Sequence, residues 1–198
     1  MDYIDTIKKR RSVYSLSDDI PVGNEEIVSL IRAVTVESPS AFNMQSARAV
    51  VLFEDEHRKL WDITEATLRK IVPENSFAPT KAKMEMFRKA AGTVLFYEDE
   101  AVVDSFKKKF PTYASNFSTF AAHGNAIAQV NAWNALAELG LGANLQHYNP
   151  LIDAEVQETW SLPSSWKLVA ELVFGKTEAA PAAKDKISAE ERVLVFGA

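Results

Sequence analysis

The chain contains no cysteine and only three histidines. Without cysteine it cannot form disulfides, thiolate nucleophiles, iron–sulfur clusters or Cys-based zinc sites. His57, His123 and His147 are far apart and lack the i,i+4 spacing of helical zinc ligands, so we expect no protein-built metal site. No run approaches the ~20 apolar residues of a membrane helix, and residues 1–5 carry no apolar signal region. A cytoplasmic protein is therefore predicted.

An excess of positive charge is also missing. The 22 basic and 27 acidic side chains give a formal net charge of −5. This balance argues against broad binding to nucleic acid or to an anionic membrane, although one local anion pocket remains compatible with it. With 198 residues, 47% of them apolar and 25% charged, the chain is predicted to fold as a single domain over residues 1–198.

Common catalytic motifs are absent as well. The sequence has no Gly-x-Ser-x-Gly elbow and no Gly-x-x-x-x-Gly-Lys phosphate loop. Gly140-x-Gly142 follows a predicted helix, and Leu145 stands where a dinucleotide motif needs its third glycine, so these glycines are interpreted as a helix stop. No catalytic set of side chains is evident, hence an enzyme of this sequence needs a cofactor for its chemistry.

Periodicity predicts a helix-rich α+β fold. The segment 118–139 is apolar on more than one face, which predicts burial on most sides, either by the domain or by a partner subunit. Asn24 and Asp153 are predicted helix caps. The predicted helices are 3–11, 24–37, 56–72, 80–91, 118–139 and 153–160, with a helical turn at 104–110. The predicted strands are 47–54, 93–97, 143–145, 166–174 and 192–196, with an extended arm at 177–183.

Basic groups stand near both ends of the chain. Arg10, Arg11 and Ser12 place two guanidinium groups and a hydroxyl in three residues, a donor set that suits a phosphate monoester. Lys184 and Lys186 project to one side if that segment is extended. Taken alone, each pair is explained more simply by helix-dipole stabilisation or by a solvated surface than by phosphate binding.

A polar segment, residues 38–46, precedes the first long strand. Asn43 and Gln45 each offer an amide donor and acceptor, which suit the alternating carbonyl and N–H groups of a flavin edge. A plain polar loop accounts for the same residues, and the residues alone leave both interpretations open.

Taken together, these motifs resemble the FMN-dependent nitroreductase family. The resemblance depends on the order and spacing of four motifs, namely Arg10-Arg11-Ser12, Pro39-Ser40-x-x-Asn43-x-Gln45, Leu139-Gly140-Leu141-Gly142-Ala143 and Lys184-x-Lys186. Residues 142–148 look most like the small nitroreductase-like subgroup of fungi and Gram-positive bacteria.

The resemblance implies a homodimer that binds FMN at the subunit interface. Each subunit would have a mixed sheet flanked by helices, a long central helix at the interface and a C-terminal arm that reaches the partner. The FMN phosphate would be held by Arg10, Arg11, Ser12, Lys184 and Lys186. The ribityl chain and flavin ring would be contacted by Pro39, Ser40, Asn43 and Gln45, some from the other subunit, and by Gln146, His147 and Tyr148 near N5.

The same resemblance implies ping-pong chemistry in which NADH or NADPH delivers hydride to the flavin and a nitroaromatic or quinone acceptor then takes its place. No side chain is assigned a catalytic role. A flavin-binding redox sensor with little turnover is the alternative, and an interaction module without cofactor is a third reading.

Two positions depart from the family pattern. Tyr14 stands where many relatives have a basic residue, which leaves Lys81 or Lys83 as candidates for charge near flavin N1. Ser46-Ala47 replaces a frequent Pro-Trp pair, so the pocket shape is expected to differ. Aromatic substrates could stack on Tyr113, Phe117 or Phe120, with core packing as the expected role of at least one.

Overall fold

A computed structural model describes residues 2–197. Its helices are α1 (Tyr3–Lys9), α2 (Asn24–Glu37), α3 (Glu54–Arg69), α4 (Ala78–Arg88), α5 (Glu100–Lys109), α6 (Phe117–Glu138), α7 (Asp153–Thr159) and α8 (Ala189–Arg192). Its strands are β1 (Leu16–Ser17), β2 (Ala47–Phe53), β3 (Gly92–Asp99), β4 (Leu141–Gln146) and β5 (Trp166–Thr177). Single 3-10 turns cover Ala41–Asn43, Glu74–Ser76 and Pro111–Asn116.

The sheet is built around β5, which is long enough to pair with three other strands. Strand β3 pairs with residues 166–174 of β5, and β4 pairs with residues 171–176 of β5 on the opposite edge. Strand β1 pairs with the last two residues of β5, 176–177. Strand β2 lies outside β3. All these ladders are antiparallel, and the parallel pairing within residues 2–197 is a single bridge between Ser12 and Ala143. The predicted α+β class is confirmed.

Helices cover both faces of the sheet, because neighbouring residues of a strand point to opposite sides. Helices α2 and α6 cover one face, where Ile27, Ile31 and Leu136 pack against Phe174. Helices α3, α4 and α7 cover the other, with a cluster that includes Trp61, Met84, Phe87, Val156 and Val173. Within residues 2–197, no helix is both long and apolar enough to cross a bilayer.

Helix α6 is buried on one side and exposed on another, so the protomer alone does not cover it on most sides. Gly124, Ala128, Ala132 and Leu136 are all buried along one side, yet Val130 remains 42% exposed on another. The helix ends where Gly140 adopts a φ of 80°, a left-handed conformation that glycine takes without strain. The predicted bounds are within one residue of the observed ones.

The C-terminal segment corrects the sequence prediction. Residues 192–196 were expected to form a strand, but the structure has the short helix α8, whose cap Ser188 accepts the Glu191 N–H at 3.2 Å. Residues 193–197 form no strand, because a strand needs a neighbour and the described part of the protomer supplies none there. The apolar side chains Val193, Leu194, Val195 and Phe196 are 65–90% exposed.

Two helix caps also differ from the prediction. Gly23 caps α2 in place of Asn24, and Ile152 caps α7 in place of Asp153, so that both polar residues lie one position inside their helices. At neither helix start does the side chain of the cap residue form a capping hydrogen bond with the first backbone N–H groups. The Asn24 amide is directed instead towards Glu54, 3.5 Å away.

Candidate functional site

The Arg10–Ser12 segment leaves helix α1 and is fixed against strand β4. Arg10 is the C-cap of α1, and its own ψ of 117° turns the chain into an extended course. Ser12 bridges to Ala143, and the Val13 N–H donates to the Ala143 carbonyl at 2.9 Å. The buried Asn144 amide donates to the Val13 carbonyl at 2.8 Å. The motif is therefore held on the sheet, although α1 itself ends two residues earlier than predicted.

The Arg10 side chain stacks on the long helix and keeps its hydrogen-bond donors available. Its guanidinium carbon lies 4.5 Å from the centre of the Trp133 ring. No carboxylate within residues 2–197 forms a salt bridge with it. Beside it, the Trp133 Nε1 and Asn134 Oδ1 atoms are buried without a partner in the described part of the chain. These groups line a cavity of about 360 Å³.

The two ends of the chain meet at Arg11. A guanidinium nitrogen of Arg11 donates to the Ala182 carbonyl at 2.7 Å, two residues before Lys184. Lys184 and Lys186 are exposed on an arm without regular structure, and neither is in a salt bridge in the described chain. Basic groups from both ends thus lie in one region of the protomer.

The loop that carries Asn43 and Gln45 is strained. Phe42, Asn43 and Gln45 have φ values of 57°, 53° and 51°, in the left-handed region that bulky residues rarely occupy. The Ser40 hydroxyl accepts the Gln45 N–H at 2.9 Å and so closes the loop. Such strain persists where the surroundings fix the backbone, and it is concentrated at functional sites.

Helix α6 supports this loop through a glycine. A Cβ atom on Gly124 would stand 3.2 Å from the Ser40 Cβ, so the absence of a side chain lets the loop approach the helix. Pro39 lies against the same position through its carbonyl oxygen. The close contact at Gly124 therefore fixes the start of the loop that carries Asn43 and Gln45 against helix α6.

Aromatic rings surround the exposed Phe42 side chain. Its ring centre lies 4.9 Å from that of Phe110 and 5.4 Å from that of Phe117. Among the predicted stacking residues, Phe117 is fully buried, Phe120 is half-buried and Tyr113 is 47% exposed. Phe117 is thus a core residue, and Tyr113 and Phe42 present accessible ring surface.

The segment 146–148 continues from β4. Gln146 is buried and donates to the Asn144 side chain at 2.8 Å, whereas His147 is exposed. The Tyr148 N–H donates to Glu171 at 3.0 Å, and burial raises the pKa of the Tyr148 hydroxyl to about 12. Lys83 stands 5.8 Å from the centre of the Tyr148 ring. Lys81 lies 3.7 Å from Glu85 and so has a partner of its own.

The predicted site residues therefore fall into two groups. Arg10–Ser12, the 144–148 segment and the arm before Lys184 gather around β4 in one protomer. In the described chain, no hydrogen bond or salt bridge joins them to the loop at 39–45. The family resemblance anticipates such a separation, since it implies that some residues of this loop reach the flavin of the other subunit.

Sequence reasoning missed Glu171. This residue is fully buried on β5, and burial raises the pKa of its carboxyl group to about 8. A signal was present, because Glu171 is the one acidic residue within the otherwise apolar run 168–174. A carboxyl group in a buried strand must either bind a polar partner or keep its proton, because burial of an unpaired charge is unfavourable.

Comparison with known proteins decides the family. The Nitroreductase family profile matches residues 7–176. The chain belongs to the nitroreductase family. Saccharomyces cerevisiae HBN1 is 37% identical over 194 residues, covering 97% of this chain and 96% of HBN1. The nitroreductase FRM2 of the same yeast is 34% identical over 190 residues, covering 94% of each chain.

Solved nitroreductases share the fold over the full length. Nitroreductase CinD from Lactococcus lactis, in complex with chloramphenicol, is 41% identical with a TM-score of 0.91, and the match covers 98% of this chain and all of CinD. The complex of CinD with 4-nitrophenol has a TM-score of 0.90 at the same identity and coverage. The family assignment makes this chain a member of an oxidoreductase family, and it confirms the resemblance drawn from the motifs.

Proposed function

We propose that this nitroreductase is a homodimeric, FMN-dependent oxidoreductase that uses NADH or NADPH to reduce nitroaromatic or quinone acceptors. The observation that carries the proposal is the contact between the two ends of the chain, where Arg11 bonds to the arm just before Lys184. The CinD complexes with chloramphenicol and 4-nitrophenol, which are nitroaromatic compounds, support the acceptor class. A fold relative from Desulfovibrio desulfuricans, 20% identical, was solved with FMN.

The basic groups fit the phosphate of FMN by their chemistry. Arg10 and the two arm lysines have no carboxylate partner among residues 2–197, so their donors can serve an anionic ligand. Ser12, fixed on β4, adds a hydroxyl. We assign Arg10, Arg11, Ser12, Lys184 and Lys186 to the phosphate, where charge-assisted bonds are stronger than neutral ones.

The flavin ring is assigned to the remaining polar groups. Gln146, His147 and Tyr148 would face its N5 edge, and Asn43 and Gln45 would bond its alternating donors and acceptors. The Lys83 ammonium near Tyr148 would supply positive potential, the role left open by Tyr14. When bound, FMN supplies the two-electron chemistry that connects the nicotinamide donor with the acceptor. Electron donor and acceptor would bind in turn at one place.

A dimer would unite the two groups of site residues. The loop at 39–45 has a strained backbone and carries the side-chain amides of Asn43 and Gln45. In the described chain, it forms no hydrogen bond or salt bridge with the residues assigned to the phosphate. This arrangement is expected if the loop completes the partner's site. Exposed apolar residues on α1 and α6, among them Ile4, Ile7 and Val130, form a surface suited to such an interface.

The C-terminal tail supplies a second argument for the dimer. Val193–Phe196 is apolar and exposed, and β2 is an edge strand in the described sheet. A groove of about 530 Å³ lies between α2 and β2, lined in part by Val28, Ala49 and Val51. We propose that the partner's tail occupies this groove, where a free edge can accept a further strand.

The test uses protein reconstituted with FMN under anaerobic conditions. NADH should bleach the flavin absorbance rapidly, and 4-nitrophenol or a quinone should restore it. Slow bleaching with poor recovery would favour the redox sensor instead. A protein that stays colourless after refolding with FMN would contradict the flavoprotein assignment.

A further inference from the structure

A buried acid lies directly behind the segment 146–148. Glu171 is opposite Gln146 in the β4–β5 ladder, and its side chain is 0% exposed. Its Oε2 atom accepts the Tyr148 N–H at 3.0 Å. Its Oε1 atom is buried and has no hydrogen-bond partner among residues 2–197. The carboxyl group therefore fixes the backbone of Tyr148 and keeps a second oxygen unsatisfied.

Two other side chains share this unsatisfied state. Asp153, at the start of α7, and Tyr97, on β3, each have a buried side-chain oxygen without a partner in the described chain. Burial raises the pKa of Asp153, while burial together with Asp153 and Glu171 raises that of Tyr97. The other ionisable groups that act on these side chains or on Tyr148 are Tyr148 itself (the loop after β4), Tyr14 (before β1), Lys167 (β5, acting on Asp153) and Lys83 (α4, at the Tyr148 ring).

The buried and unsatisfied Oε1 atom favours a proton on Glu171. An ionised carboxylate offers only acceptors, whereas a proton on Oε1 turns this oxygen into a hydrogen-bond donor. The proton also removes a charge from a site of low dielectric constant, where the charge of Asp153 makes ionisation still less favourable.

We propose that Glu171 is protonated in the folded protein at neutral pH, and that it is a positioning residue that fixes the Tyr148 backbone and couples this proton to the redox potential of the bound flavin. The coupling rests on the proposed function, since that function places residues 146–148 at the flavin. Loss of the proton puts a negative charge behind this segment, where the low dielectric constant makes the addition of electrons to the cofactor less favourable.

The first test needs no cofactor. In the apoprotein, folded Glu171 keeps its proton between the ordinary carboxyl range and about pH 8, whereas the unfolded chain releases it. For this group the folded state binds more protons, so the contribution of Glu171 to wild-type stability should fall as pH rises through this window. Glu171→Gln should remove that slope. From pH 5 to 8, its unfolding constant should fall relative to that of the wild type by at least ~100-fold.

A matched control and a direct readout complete this test. Glu155→Gln changes an exposed carboxylate on the same helix as Asp153, and its profile should run parallel to that of the wild type. Parallel profiles for Glu171→Gln would overturn the protonated state of Glu171. Should that variant fail to fold, carboxyl ¹³C NMR of the wild type decides, because Glu171 must titrate above pH 7, and titration at any lower pH contradicts the proposal.

The second test addresses the coupling. In FMN-loaded protein, the ratio of oxidised to reduced flavin at a fixed applied potential should rise more steeply with pH above pH 8 in the wild type than in Glu171→Gln, by up to tenfold per pH unit where reduction also takes up the Glu171 proton. Identical curves would overturn the coupling. Protein that binds no FMN would instead refute the proposed function, and the stability test would still decide whether Glu171 is protonated.

Discussion

Replacing Asn144 with alanine should destabilise the fold by severing the link between the Arg10–Ser12 segment and β4. Asn144 is fully buried, donates to the Val13 carbonyl at 2.8 Å and accepts the Gln146 amide at 2.8 Å. Asn144→Ala leaves both of these groups without a partner. Each buried unsatisfied group costs roughly 1–3 kcal/mol, so the loss of partners for these two groups should lower the free energy of unfolding by about 2–6 kcal/mol.

Urea unfolding of the apoprotein measures this loss. Asn131→Ala is the matched control, because Asn131 is half-buried on α6 and donates one bond, to the Ser38 hydroxyl at 2.9 Å. Its removal should cost only ~0.5–1.5 kcal/mol. The reasoning is refuted if Asn144→Ala costs no more than the control, since the Val13 carbonyl would then have found another donor.

Three further predictions concern the phosphate, the dimer and acid stability. The double variant Arg10→Ala, Ser12→Ala should weaken FMN binding by roughly 10²–10⁴-fold in fluorescence titration while the apoprotein still folds, whereas Lys70→Ala should bind normally. Deletion of the residues after Ser188 should yield a monomer in light scattering, and a persistent dimer would contradict the role of the tail. Burial lowers the pKa of His57 to about 4, so the unfolded chain binds more protons below its ordinary value near 6.5. The contribution of His57 to stability should thus decrease from pH 6.5 to 4, so that the wild type loses stability relative to a His57→Gln variant over that range. Parallel pH profiles of the two proteins would exclude this cause.

Periodicity in the sequence predicts the interior elements well. Helix α6 and the start of β5 match the prediction because long apolar runs leave few alternatives. The end of β5 was missed, since Gly175 suggested a stop, yet the strand continues to Thr177 through its pairing with β1 and β4. Pairing between distant segments is not encoded in local composition.

The C-terminal segment shows a local signal that was overlooked. Ser188-x-x-Glu191 is a capping pattern, and it forms the start of α8 where a strand was predicted nearby. The apolar run at 193–196 is typical of a strand, but a strand needs a neighbouring strand, and the described part of the protomer places none beside this segment. A sequence pattern cannot tell whether its pairing partner belongs to the same chain.

The sequence allowed the types of the site residues to be predicted from motifs, but not their positions relative to one another in space. Arg10–Ser12 and the amides of the 39–45 loop carry recognisable chemistry, but their placement depends on β4 and on the close contact at Gly124. The strain at Phe42 has no sequence signature, because an aromatic residue at positive φ runs against backbone preference.

Binding of FMN measured against binding of riboflavin, its analogue without the phosphate, tests the anion pocket most directly. If residues near both chain ends bind the FMN phosphate through at least two charge-assisted bonds of ~1.5–3 kcal/mol each, the apoprotein should bind FMN ~10²–10⁴-fold more tightly than riboflavin. Equal dissociation constants for the two compounds would contradict the account.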